Sequence, residues 1–376
     1  MEYPLEFSRE GRSGQGKAAI GDDSLSISPE SGPPMLIPLR DILEMAPADY
    51  KVTLTIPSGK LVLSSLGYKY EDFVRELCAK RSELILKDML GNQKMVMGHV
   101  KAEYALAAGG GGSKGACEAR VYETALVVMP ERSDPLRMPF CEMTEARKEG
   151  FSIMVSGEYG EKLALSMMGR MLDPFMKALN DSMGALWLQA ENILKDVAPG
   201  LGPDALQKAA GLMRDGVAAR RKDLDGISPS IWAGLVKKLE AAGMGEQYST
   251  LEGMSVKEQM CIGLKKGLSG DEYIWFLAPF REKGVMAMEA TSEESGRATY
   301  LFRVEGKGEG ALLEAIKTIN RCMIAMNFRR EPIYAEEDDP AYRFSIARLP
   351  QLRKLRSLFI KRVAHTEGWA QKLRGD

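Results

Sequence analysis

The chain repeats itself. Residues 61–77 read LVLSSLGYKYEDFVREL, and 102 positions later residues 163–179 read LALSMMGRMLDPFMKAL. Six of these seventeen positions are identical: Leu61/Leu163, Leu63/Leu165, Ser64/Ser166, Gly67/Gly169, Phe73/Phe175 and Leu77/Leu179. Average residue usage gives about one identity by chance, and choosing the best window inflates the score, so the flanks decide. At an offset of 101, Gly59 meets Gly160, Ile37-Pro38-Leu39 meets Met138-Pro139-Phe140, and Leu25 meets Leu126. One offset, held to a single step across that span, implies two homologous modules, residues 1–92 and 93–196. The constraint is severe, because side chains that differ at most positions must build the same structure twice.

Periodicity shows what each module contains. In the first, short alternating or β-rich runs fall at 5–8, 17–20, 25–28, 35–39, 42–45, 51–56 and 60–64. They are divided by turn chemistry: Gly14 and Gly16, Gly21-Asp22-Asp23, Ser31-Gly32-Pro33-Pro34, Pro47 with Asp49, and Pro57-Ser58-Gly59. After Gly67 the period becomes helical, with Tyr70, Phe73, Val74, Leu77, Leu84 and Ile85 forming an apolar stripe. The second copy carries a stronger stripe of Leu172, Phe175, Met176, Leu179, Met183, Leu186, Trp187, Ala190 and Leu194. Its Asp173-Pro174 start has the form of an N-cap followed by proline in the first turn.

Seven short antiparallel strands followed by one amphipathic helix resembles the pleckstrin-homology (PH) superfold, in which the helix closes one open end of a bent barrel. The resemblance covers about half of the chain, and Ile37-Pro38-Leu39-Arg40-Asp41-Ile42 is similar to the strand corner of PH-like sequences. Another small antiparallel barrel with a terminal helix stays open as the alternative. The resemblance implies peptide binding along an edge strand and the adjacent helix, a form of strand addition. Members that bind phosphoinositides carry basic residues at the start of the second strand. Here those stretches read Lys17-Ala18-Ala19-Ile20 and Ala116-Cys117-Glu118-Ala119, so no specific phosphoinositide signature is present.

The second half reads differently. Residues 197–270 are expected to form a helical connector, with stripes of Leu206, Ala209, Ala210, Met213 and Val217 and of Ile231, Trp232, Leu235 and Leu239. Residues 271–376 are expected to form an α+β domain: strands at 273–277, 285–290 and 298–304, then a helix with Leu312, Ile316, Ile319, Met323 and Met326 on one face. Strand, strand, strand, helix matches the end of each repeat, which leaves open a third, eroded PH-like copy beside an independent α+β domain. The chain as a whole is of the α+β class.

Composition excludes several functions. With 51 Lys+Arg against 52 Asp+Glu the net charge is −1, unlike a surface built throughout for nucleic acid. The longest stretch without an acid or a base is residues 226–236, too short for the roughly 18 apolar residues of a spanning helix. The start, MEYPLEFSRE, lacks the basic and apolar parts of an export signal, and Cys78, Cys117, Cys141, Cys261 and Cys322 form no C-x-x-C pair. These features lead to the expectation of a cytoplasmic protein with reduced, buried thiols.

No catalytic, cofactor-binding or metal-ligating residue is assigned. His99 and His365 are the two histidines, which leaves little room for a histidine triad or a two-histidine metal site. The run Gly109-Gly110-Gly111-Gly112-Ser113-Lys114-Gly115 inverts the Lys-Ser order of a phosphate loop and reads as a hairpin tip. Gly306-Lys307-Gly308-Glu309-Gly310-Ala311 satisfies a loose G-x-G-x-x-A dinucleotide pattern, with too little chain after it for a parallel sheet.

Charge is polarised at the end. An acidic knot, Glu336-Glu337-Asp338-Asp339, precedes seven basic residues: Arg343, Arg348, Arg353, Lys354, Arg356, Lys361 and Arg362. With Leu352, Leu355, Phe359 and Val363 as its apolar stripe, the stretch 350–363 reads as a basic amphipathic helix, and the seven cations as candidate contacts to an anionic partner or membrane. Three expectations of function follow. The first is a non-enzymatic cytoplasmic binding or scaffolding protein with a protein partner or self-association. The second is peripheral attachment to anionic membranes through that helix. The third is an enzyme with a site in the C-terminal half, where Trp232, Trp275 and Arg329 line a pocket.

Overall fold

The computed structural model describes residues 1–90, 93–109, 111–266, 272–281, 284–291, 297–337, 339 and 342–373. Gly110 of the glycine run and Asp338 of the acidic knot therefore lie outside the described residues. The first module contains β1 (Glu2–Arg9), β2 (Arg12–Ile20), β3 (Ser24–Pro29), β4 (Met35–Pro38), β5 (Glu44–Ala48), β6 (Lys51–Ile56), β7 (Gly59–Ser64) and helix α1 (Tyr70–Leu90). The second contains β8 (Met95–Ala108), β9 (Gly111–Tyr122), β10 (Ala125–Pro130), β11 (Leu136–Pro139), β12 (Met143–Glu149), β13 (Ser152–Gly157), β14 (Lys162–Ser166) and α2 (Leu172–Val197). Then come α3 (Pro203–Leu212), β15 (Ala219–Arg220), α4 (Arg221–Asp225), α5 (Pro229–Ala241), α6 (Gly245–Met254), β16 (Cys261–Lys266), β17 (Glu272–Pro279), β18 (Val285–Ala290), β19 (Ala298–Arg303), α7 (Gly308–Ala325), α8 (Glu331–Tyr334), α9 (Arg343–Arg348), α10 (Pro350–Leu358), β20 (Phe359–Ala364) and α11 (Trp369–Lys372). Two structural units result: residues 1–182 with 335–349, and residues 183–334 with 350–376.

The repeat is built into the backbone. The first sheet runs β4-β3-β2-β1-β7-β6-β5 and the second runs β11-β10-β9-β8-β14-β13-β12, the same order in the same sense. In the first, β1 pairs with β2 along its whole length but with β7 only from Glu6 to Arg9, so one strand serves both halves of the sheet. The identities found in sequence now have causes. Leu61, Leu63, Phe73 and Leu77 and their partners Leu163, Leu165, Phe175 and Leu179 are all buried core residues. Gly67 and Gly169 hold φ of +57° and +55°, and the preceding Ser65 and Met167 hold +59° and +58°. Such left-handed backbone costs an ordinary residue roughly 1–2 kcal/mol, and glycine relieves that cost at one of the two positions in each copy.

The strand at 17–20 begins five residues earlier than expected, at Arg12. Gly14 and Gly16 are not turn residues. A Cβ on Gly14 would sit 3.1 Å from the Phe7 ring, and one on Gly16 would sit 2.5 Å from the Ser28 carbonyl, so these glycines permit close strand packing. The real turn is Glu10-Gly11, with φ of +49° and +79° at its two central residues.

Helix α1 carries apolar residues on two sides. Tyr70, Phe73, Val74 and Leu77 belong to the first module's core. Leu86 and Leu90 pack with Tyr122, Val127 and Met129 of the second module. Ion pairs Arg120–Glu83, Arg75–Glu131 and Arg132–Glu71 reinforce the junction. The two modules are thus joined through α1 into one unit.

The C-terminal unit has a six-stranded antiparallel sheet in the order β15-β16-β17-β18-β19-β20. Its simple sequential order, with α7 to α10 inserted before β20, differs from the order of the first two sheets, so it is an α+β domain of its own plan. One face carries Ile262, Phe276, Ala287, Leu301 and Val363, which share a core with Leu206, Ala209, Leu235, Leu239, Tyr248 and Leu251. Helices α3, α5 and α6 of the expected connector contribute residues to this same core. Helix α10 contacts β19, α8 contacts β20, and α7 packs on α10.

One expected element is corrected. The helix read over 350–363 stops at Leu358, and Phe359–Ala364 forms β20 on β19. β-Branched Ile360 and Val363 fit a pleated edge, and the pairing supplies ladder hydrogen bonds that an extended helix would forgo.

Candidate functional site

The first unit holds a segment from far along the chain at one corner of its first module. Ile42 and Leu43 link a one-turn helix (Leu39–Asp41) to β5. Arg81, buried on α1, donates from Nε and Nη2 to Ile42 O at 2.9 and 2.8 Å and from Nη2 to Leu43 O at 3.2 Å. Arg348, the last residue of α9, donates from Nη2 to the same Leu43 O at 2.5 Å. Asp134, between β10 and β11, pairs with both guanidinium groups. Ile346 and Leu349 are buried beside them.

Desolvation dominates the electrostatics here. Burial pushes Arg81 down to about 10 and Arg348 to about 9, the latter helped by the like charge of Arg81. Burial pushes the neighbouring Cys78 thiol up to about 11. Two cations in one buried place are costly unless carbonyl dipoles and a carboxylate compensate them. The Leu43 carbonyl and Asp134 thus hold an arginine that is followed by a buried apolar residue, Leu349. In the second module the same repeat positions are Met143, Thr144 and Met183, so that copy lacks the arginine half of the device.

The seven candidate cations do not form one face. Arg343 and Arg348 lie on α9, Arg353, Lys354 and Arg356 on α10, and Lys361 and Arg362 on β20. Arg353 is exposed, Lys354 pairs with Glu305, and Arg356 donates to the Pro332 carbonyl at 2.7 Å. Lys361 donates to the Lys372 carbonyl, and Arg362 lies over the Tyr300 and Tyr334 rings. Leu352 and Leu355, the apolar stripe of the expected membrane helix, are fully buried, and α10 packs on α7. Among the described residues no helix is long and apolar enough to cross a membrane.

Trp232 and Trp275 each have a hydrogen-bond partner of their own. Trp232 donates to Tyr248 Oη at 3.1 Å, and Trp275 donates to the Gly216 carbonyl at 2.8 Å. Neither these nor Arg329 is among the residues lining a cavity of the C-terminal unit near His365. The G-x-G-x-x-A stretch joins β19 to α7 in a sheet whose pairings are all antiparallel, unlike the parallel sheet that pattern serves.

That cavity was not legible in sequence. It lies against β18 and α6 and is lined by Met244, Gln247, Glu289, Thr291, Arg297 and His365, among others. Buried Glu289 accepts from Thr299 Oγ1, and its Oε1 lies 2.9 Å from His365 Nε2. Gln247 Nε2 is 3.4 Å from His365 Nδ1, and the Trp369 ring lies 4.4 Å from the imidazole. The other histidine, His99, is exposed and pairs with Glu118 in the first unit.

No family model matches the chain, and no curated protein is found similar to it. Among solved structures it is similar to one described as the structure of the Spt16D Pob3N heterodimer, at 15% identity over 42% of this chain and 82% of that one, with a TM-score of 0.17. A TM-score of that size is no ground for a shared fold or function.

Proposed function

We propose that the two N-terminal modules are PH-like barrels and that the protein is a non-enzymatic cytoplasmic binding or scaffolding protein whose modules take up protein segments. The repeated strand order, with one helix closing each copy, supports the PH-like reading. Five buried free cysteines suit a reducing compartment.

One observation carries the functional reading. A peptide segment, α9, already sits at the corner between the first module's strand turn and α1, with Arg348 held by the Leu43 carbonyl and by Asp134 of the second module. The same grip suits an arginine-containing segment of a protein partner or of a second copy of this chain. The test replaces residues 335–349 by a glycine-serine linker of equal length and adds a labelled peptide of that sequence. Binding with Kd at or below about 100 μM is expected, weakened at least tenfold by Arg348→Ala in the peptide. Absence of binding at about 1 mM, or binding indifferent to Arg348, overturns the reading.

A further inference from the structure

An amine and a carboxyl group are pressed together inside the C-terminal unit without the alignment of a hydrogen bond. Asp215 lies in the turn after α3 with its side chain 2% exposed, and Lys265 of β16 brings Nζ to 2.7 Å from its Oδ1. Neither carboxylate oxygen of Asp215 receives a hydrogen bond among the described residues, so the nitrogen lies off the directions in which an ammonium donates. A buried carboxylate without a donor is rare in folded proteins and calls for an explanation.

The surroundings hold the two groups in place. Asp215 keeps a left-handed backbone at φ +53°, and Gly216 after it, at +81°, packs so closely that a Cβ would sit 2.8 Å from Lys265 Cβ and 3.0 Å from the Phe328 ring. Trp275 Nε1 donates to the Gly216 carbonyl at 2.8 Å and pins this turn on the sheet. The Phe328 ring lies 4.7 Å from Lys265 Nζ, and Asn327 Oδ1 stands 3.5 Å from the same nitrogen. In water an amine and a carboxylate stay apart because both ions are well solvated. Here burial opposes the two charges, and reacting groups fixed in this way reach effective concentrations of about 10⁵ M or more.

We infer that Lys265 and Asp215 join in an isopeptide bond. The Lys265 ammonium passes a proton to the carboxylate, the freed lone pair forms the Nζ–Cγ bond, a second proton follows to the hydroxyl oxygen, and the Cγ–O bond breaks to release water. Ammonium plus carboxylate gives amide plus one water, with no oxidant or cofactor. Two buried charges disappear, and a loop of about 50 residues is closed covalently, as a disulfide would close it. The bond uses no residue of the first module and stands apart from segment binding.

The test is the intact mass of the full-length chain, incubated folded and then fully denatured, with peptide mapping by tandem mass spectrometry. The chain is expected to be lighter than its sequence by one water, about 18 Da, and to yield a branched peptide in which Lys265 Nζ carries Asp215. Lys265→Arg keeps a cation but cannot form the bond, and Asp215→Gly suits the left-handed backbone while removing the carboxyl group; both are expected at full sequence mass. The inference is overturned if the parent chain has its full mass, if mapping finds both peptides linear, or if Lys265→Arg retains the loss, which would mark ring closure of Asp215 onto the Gly216 nitrogen.

Discussion

Arg348 Nη2 donates to the carbonyl oxygen of Leu43 at 2.5 Å, tying residues 305 positions apart in sequence. Asp134 faces both this guanidinium and that of Arg81 and is the carboxylate the two share. Replacing Asp134 by Ala removes the carboxylate that faces both cations. Because Asp134 is itself partly exposed, solvent screens part of the loss, and the expected cost is about 1–3 kcal/mol of unfolding free energy. In denaturant titrations the double variant Asp134→Ala/Arg348→Ala should lose less than the sum of the single losses, by at least about 0.5 kcal/mol. Strict additivity would show that the two residues do not act together.

Backbone conformation gives a second expectation. Gly67 and Gly169 have open space where a Cβ would go, yet both sit near φ of +55°. Changing either to Ala should cost about 1 kcal/mol from strain alone. Gly184, inside α2 and equally open, lacks that strain, so Gly184→Ala should stabilise by about 0.5–1 kcal/mol. Opposite shifts in thermal midpoint are the readout.

The junction through α1 is also testable. Leu77→Ala empties the first module's core, while Leu86→Ala empties the contact with the second. Each should cost about 2–5 kcal/mol, typical of a buried leucine. If Leu86→Ala is neutral, the apolar contact does not hold the junction.

The five thiols should be inert in the native state and react together after denaturation, as counted with a thiol reagent. Burial pushes Cys78 up to about 11 and Cys117 to about 12, from an ordinary value of 9.0. The folded thiols therefore keep protons that unfolded ones lose, and stability must fall as pH rises from about 9 to 11. Replacing Cys117 by Ala should flatten that fall.

Sequence reading reached the architecture where a residue's role was local. Seven strands and one helix per module followed from alternation and turns, and the repeat made each copy check the other. It failed where a role depends on a distant neighbour. Gly14 and Gly16 read as turn residues because Phe7 and the Ser28 carbonyl, which make them necessary, come near only in the sheet. Leu86 and Leu90 fell outside the stripe of α1 because their partners belong to another module. The run from Leu352 to Val363 kept a helical period past Leu358, although β19 claims the final residues. His365, Glu289, Thr299 and Gln247 share no motif, since the separations between them are set by the fold alone.

Native-state hydrogen exchange tests most directly whether α9 is a held ligand or a part of the first module's core. If it is a ligand, the amides of 344–349 should exchange through a local opening at least about 100-fold faster than those of α1, and Arg348→Ala should speed them at least tenfold while leaving α1 unchanged. If α9 and α1 exchange together at the rate of global unfolding, α9 is a fixed element of the fold, and the segment-binding account is contradicted.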